Sequence, residues 1–100
     1  MTKKSSGPWF VYILECVNGR LYTGITTQLE QRFAKHSSGK GAMFTKLNRP
    51  SRMIAAKICK DRSEASKLEW VVKSLRPEKK RMLGLGWPKI RNLPKASHLK

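Results

Sequence analysis

Tyr12, Tyr22, Arg32, His36 and Glu69 are the residues of this chain whose types and order could do chemistry together. Hydrolysis of a phosphodiester with a single metal ion needs that assortment. A phenol or imidazole stands beside the attacking water, a guanidinium on the phosphate, and one carboxylate on the cation. Arg32 and His36 are one helical turn apart and so project from the same side of a helix. Glu69 and Lys73 have the same spacing further on, with Glu69 beside Leu68 at the border of an apolar stripe. Taken singly, each residue has a plain structural role. Glu69 with Lys73 is a surface ion pair contributing a few tenths of a kcal/mol. Arg32 is a solvated cation, His36 favours the negative end of its helix, and each tyrosine is a strand residue with its ring in the core.

The acids narrow the chemistry further. The six are Glu15, Glu30, Asp61, Glu64, Glu69 and Glu78, with no D-x-D or D-x-E pair among them. Two-metal hydrolysis, which bridges its ions with several carboxylates, is disfavoured. A single-carboxylate Mg²⁺ or Mn²⁺ site is compatible, because Mg²⁺ keeps most of its waters. Cys16 and Cys59 have no CxxC partner and no Cys/His ligand spacing with His36 or His98. They read as small core hydrophobes of a chain in a reducing, cytoplasmic compartment. Ser38-Gly39-Lys40-Gly41 carries a lysine but not the full G-x-x-x-x-G-K-[ST] phosphate loop. It reads either as backbone amides and Lys40 offered to a phosphate or as a flexible turn.

The charge points to the partner. Twenty-two Lys and Arg against six acids give +16 and a pI near 10.6, the electrostatic footprint of a nucleic-acid binder. The cations are spread along the chain, whereas a membrane-bound helix would segregate them from a broad apolar face. DNA is the expected partner, with RNA as the alternative. Lys35, Lys40, Lys46 and Lys73 are the candidate phosphate contacts.

These side chains need elements to position them, and one domain is the most that 100 residues build. Residues 1–8 read as a disordered leader, 9–87 as the folded domain, and 88–100 as a basic, mobile tail. Trp9 to Val17 and Arg20 to Ile25 read as strands joined at Asn18-Gly19, a strong hairpin signal. A two-residue loop there would put Tyr12 and Tyr22 on opposite faces. A three-residue loop, Val17-Asn18-Gly19 with Gly19 left-handed, pairs Cys16 with Arg20. Tyr12, Leu14, Tyr22 and Gly24 then share a face, and this bulged loop is the expected one. Thr27 with Glu30 forms a capping-box pattern for a first helix ended by Ser37-Ser38-Gly39. Lys40 to Pro50 reads as a loop and Arg52 to Cys59 as a third strand. Asp61 with Glu64 caps a second long helix with Ala65, Leu68, Val72 and Leu75 on its core face. Pro77 starts a short helix through Leu83.

In this order the residues resemble the GIY-YIG nuclease superfamily, in particular its small stand-alone members, the UPF0213-like group. Phe10-Val11-Tyr12 stands at the first signature tripeptide and Tyr22-Thr23-Gly24 at the second. Arg32, His36, the run Gly39-Lys40-Gly41-Ala42, then Glu69 with Lys73 follow. The resemblance covers Trp9 to Leu75. The first tripeptide lacks its Gly, and the Asn that many members carry after the glutamate has no counterpart between Glu69 and Trp87.

The resemblance implies an α+β fold, a small three-stranded antiparallel sheet flanked by helices, and metal-dependent endonucleolytic hydrolysis of DNA. By the same resemblance Glu69 binds Mg²⁺ or Mn²⁺, Arg32 binds the scissile phosphate and Tyr22 acts on the water, with Tyr12 and His36 assisting. A phenol, with an ordinary pKa near 10, is a poor base unless a cation stabilises its phenolate. Two routes therefore stay open: Tyr22 as base, or His36 accepting the proton while Tyr22 orients the water. Structure-selective cutting in DNA repair or recombination, with a protein partner supplying specificity, is the expected setting. A non-catalytic nucleic-acid-binding protein on the same fold is the competing expectation.

Overall fold

β-branched and aromatic residues from Trp9 to Cys16 build the central strand of the computed structural model, which describes residues 8–96. The elements follow as β1 (Trp9–Cys16), β2 (Leu21–Thr26), α1 (Leu29–Ser37), α2 (Met43–Leu47), β3 (Pro50–Cys59), α3 (Arg62–Lys73) and α4 (Pro77–Leu85). The sheet has the order β2-β1-β3 and both pairings are antiparallel. β1 is covered on both faces, so Val11, Tyr12, Ile13 and Leu14 are all fully buried. The α+β class and the three-stranded sheet are as expected. Among the described residues no helix is long and apolar enough to cross a membrane.

The hairpin takes the bulged geometry. Gly19 sits at φ +87°, its amide donates to the Cys16 carbonyl, and the Cys16 amide donates to the Arg20 carbonyl at 2.8 Å. Tyr12 therefore pairs with Gly24 and Leu14 with Tyr22, which puts all four on one face. One residue of register decides this, because strand side chains alternate. That face gathers Tyr12, Leu14, Cys16, Phe33, Met53 and Ala56 beneath α1, with Ile90, Leu93 and Ala96 packed against them. The opposite face packs Val11, Ile13, Leu21, Ala55 and Cys59 against Ala65, Val72 and Trp87, with Leu68 and Leu83 beside them.

Four local expectations are corrected. Residues 88–96 are not a mobile tail. The Met53 amide donates to the Pro94 carbonyl, the Ala96 amide donates to Ser51, and Lys95 bridges Arg52, so this segment covers part of the open edge of β3. The remainder of the expected tail, 97–100, and residues 1–7 of the expected leader lie outside the described residues. The Thr27–Glu30 box does not form. Thr26 Oγ1 takes the Gln28 amide at 3.1 Å, and α1 starts behind Gln28 with no side-chain cap. Residues 40–50 include a single helical turn, α2, too short to show a period. The Gly39 and Lys40 amides are turned inward to His36 and Lys35 carbonyls, with Gly39 at φ +81°, so they close α1 as a Schellman motif and are not offered to an anion. By contrast, the Asp61 cap forms as expected. Its carboxylate accepts from the Glu64 amide at 2.9 Å, and Glu64 reaches back to the Lys60 amide at 2.8 Å.

Candidate active site

α1 lies over one sheet face and α3 over the other, and they approach each other across the outer edge of β2. Tyr22, Gly24 and Thr26 from β2, Thr27 from the turn after it, Arg32 from α1 and Ser66 and Glu69 from α3 line a cleft there of about 440 Å³. Arg32 and Lys35 continue into a shallow groove with Gln28 and Gln31. Three of the expected residues thus open onto one solvent-accessible space. Glu69 is held by Lys73 at 3.3 Å, its side chain 23% exposed. The same ammonium lies 5.9 Å from the Tyr22 ring centroid, bridging the acid and the phenol. The Arg32 Nε is buried without a partner. A polar atom so placed costs stability unless something binds it.

Tyr12 and His36 do not line the cleft; they stand directly behind Tyr22. The Tyr22 ring lies 5.1 Å from the imidazole and 6.3 Å from the Tyr12 ring, centroid to centroid. Both hidden side chains are wholly buried. The Tyr12 hydroxyl is 2.8 Å from His36 Nε2, and His36 Nδ1 is 2.8 Å from the Thr45 hydroxyl on α2. Burial pushes the Tyr12 phenol up to about 12, with the adjacent Arg32 guanidinium pulling the other way. Burial and the Arg32 charge push the His36 imidazole down to about 4. An imidazole held neutral, with both nitrogens occupied and no face on the cleft, has no contact with a water there. Of the two proton routes left open above, only Tyr22 has access.

Glycines shape this packing. A Cβ on Gly24 would come within 2.5 Å of the Tyr12 hydroxyl, and one on Gly41 would run into His36 Nδ1. Each lets backbone lie flat on a ring. Of the expected phosphate contacts, Lys35, Lys40, Lys46 and Lys73 are all exposed, Lys35 and Lys73 next to the cleft and Lys46 on α2. Thr45 escaped the sequence reading altogether. It carries no motif, and only the apolar Met43-Phe44 before it hints that the loop turns inward. Arg62, whose guanidinium lies 5.4 Å from the Trp9 ring centroid, and Ser66 also line the cleft without a distinguishing spacing.

A small antiparallel sheet thus brings tyrosine, arginine and a lone glutamate to one open, cationic cleft. Residues 8–81 match the GIY-YIG catalytic domain, and the chain belongs to that family. It is 51% identical over 76 residues to the UPF0213 protein DP2720 of Desulfotalea psychrophila, covering 75% of this chain and 69% of that one. The UPF0213 protein BH0048 of Halalkalibacterium halodurans is 45% identical over 74 residues, 74% of this chain and 79% of that one. The solution NMR structure of the UPF0213 protein BH0048 from Bacillus halodurans aligns with a TM-score of 0.49 at 41% identity, covering 79% of this chain and 85% of that chain.

Proposed function

We propose that this chain is a divalent-metal-dependent endonuclease that hydrolyses DNA phosphodiester bonds, selective for nucleic-acid structure, with a role in repair or recombination in the cytoplasm or nucleoid. The observation that carries the reading is the shared cleft of Tyr22, Arg32 and Glu69.

The donor set fits one hard cation. Glu69 is the single carboxylate on the cleft, and among the described residues no three His, Cys, Asp or Glu side chains gather into a metal cage. Mg²⁺ or Mn²⁺ suits such a site because water and phosphate oxygens complete its shell. When bound, the cation would polarise the phosphate and neutralise its developing charge. The protein's own groups do the rest. The Arg32 fork binds the phosphate in a fixed plane and satisfies its unpartnered Nε. The Tyr22 hydroxyl holds the attacking water in line, and the Lys73 ammonium, 5.9 Å from the ring centroid, keeps the ring beside Glu69. Lys35, Lys40 and Lys46 bind flanking phosphates, a term that weakens steeply with salt.

Incubating the purified chain and Glu69→Gln with single-stranded, nicked, branched and duplex DNA in Mg²⁺ tests this. Cleavage by the native chain alone is expected, with binding retained by the variant. The +16 charge also favours a second reading, a non-catalytic DNA- or RNA-binding protein. That reading predicts tight, salt-sensitive binding, no cleavage, and no response to chelation.

A further inference from the structure

We infer that Thr45 is a positioning residue: it fixes His36 in the Nδ1–H tautomer, which commits the Tyr12 hydroxyl proton to His36 and braces the imidazole behind the Tyr22 ring. The role in cleavage rests on the nuclease reading above; the tautomer does not.

The direction of the chain follows from its far end. Thr45 Oγ1 lies 2.9 Å from the Ala42 carbonyl, which can only accept, so the hydroxyl proton goes there. What remains on Oγ1 is lone pairs, and at 2.8 Å they face His36 Nδ1, which must therefore carry the ring's hydrogen. A neutral imidazole has one N–H. Nε2 is then bare and accepts from the Tyr12 hydroxyl at 2.8 Å. The opposite tautomer would set two acceptors 2.9 Å apart at the half-buried Ala42 carbonyl, beside side chains that are themselves sealed from water. Tyr12 and His36 are 0% and Thr45 2% exposed.

Nothing nearby offers the ring another arrangement. Phenols Tyr12 and Tyr22 and the cation Arg32 face it, and Gly41 closes over Nδ1 with no room for even a Cβ. The Ala42 carbonyl is itself held in the first turn of α2 by the Thr45 and Lys46 amides, at 3.0 and 3.2 Å. Because the chain ends on a backbone carbonyl, it cannot pass a proton outward; it is a brace. Its effect reaches the cleft through Tyr22, whose ring meets the imidazole edge-on at 5.1 Å, centroid to centroid. With the Tyr12 hydroxyl and the imidazole locked to each other, the Tyr22 ring is seated against a wall of fixed shape. Thr45 thus acts on the position of Tyr22 without touching substrate.

¹⁵N NMR of the histidine-labelled full chain reads the tautomer directly, beside single-turnover cleavage by Thr45→Ser and Thr45→Val. His36 protonated on Nδ1 and bare on Nε2 is expected in the native chain and in T45S. T45V should lose that preference and lower kcat about 10- to 100-fold with KM little changed, the range that follows loss of the hydrogen-bond partner behind a metal-binding histidine. A native His36 protonated on Nε2, or T45V with native tautomer and kcat, overturns the proposal. If T45V fails to fold, the native and T45S spectra still decide it. A native chain that shows the tautomer but cuts no DNA overturns the nuclease reading and, with it, the catalytic half of this one.

Discussion

Mild acid should destabilise this fold through His36. The imidazole is wholly buried, with its pKa pushed from 6.5 to about 4. Between those values the unfolded chain binds a proton that the native chain refuses, so stability rises with pH across the window. The contribution is complete above 6.5 and is lost as pH falls toward 4. Integrating the difference gives a loss of about 2 kcal/mol by about pH 5, reaching about 3 kcal/mol below pH 4. For a domain of this size 2 kcal/mol corresponds to a fall in Tm of roughly 8–16 °C. Glu15, whose carboxyl is held below its usual 4.5 by Arg81 and also by Arg52, loses its contribution from about 4.5 downward and so meets only the foot of the His36 window. Urea unfolding of the native chain and of His36→Gln at about pH 7.5 and about pH 5 measures the effect. The native chain should lose the 2 kcal/mol and the variant, lacking the group, most of that pH slope. Equal slopes in the two proteins would refute the reasoning.

Three further outcomes are expected. Gly24→Ala places a Cβ 2.5 Å from the Tyr12 hydroxyl and 2.7 Å from its Cζ, and the enclosed ring must move. Thermal melting should show a cost of about 1–3 kcal/mol, and an unchanged Tm would mean the hairpin slides freely. The Tyr12 phenol, raised from 10.0 to about 12, contributes stability that is complete below pH 10 and lost as pH rises toward 12. An ultraviolet phenolate titration should contain a late step that Tyr12→Phe removes. Leu93→Ala trims the 88–96 segment where it packs on Met53 and its neighbours. A loss of about 1–2 kcal/mol is expected for this half-buried site, below the 2–5 of a full core leucine; no loss would return the segment to a loose tail.

Much of the frame was legible because it is specified within a few residues. Asn18-Gly19 sets the turn, and with it the face shared by Tyr12 and Tyr22. Asp61 and Glu64 start α3, and Ala65 and Val72 aim its core side. The edge contact of 88–96 was not legible. Its prolines and cations have no period, and its bonds go to Ser51 and Met53 some forty residues earlier. At α1 the wrong hydroxyl was favoured: Thr26, not Thr27, binds the turn, since both offer the same chemistry and only backbone geometry chooses.

The candidate site divides along the same line. The order Tyr12, Tyr22, Arg32, His36, Glu69 is a property of the polymer, and it was enough to place the chain in its family. Which of these groups meet water and which are sealed behind Tyr22 depends on how α1, α2 and α3 pack on the sheet. Thr45 enters only at that level, joined to His36 across nine residues and through it to Tyr12 across twenty-four more. Turn chemistry, capping and alternation act between neighbours, so sequence displays them. Burial and hydrogen-bond direction are set by distances between elements, and those exist only once the chain has folded.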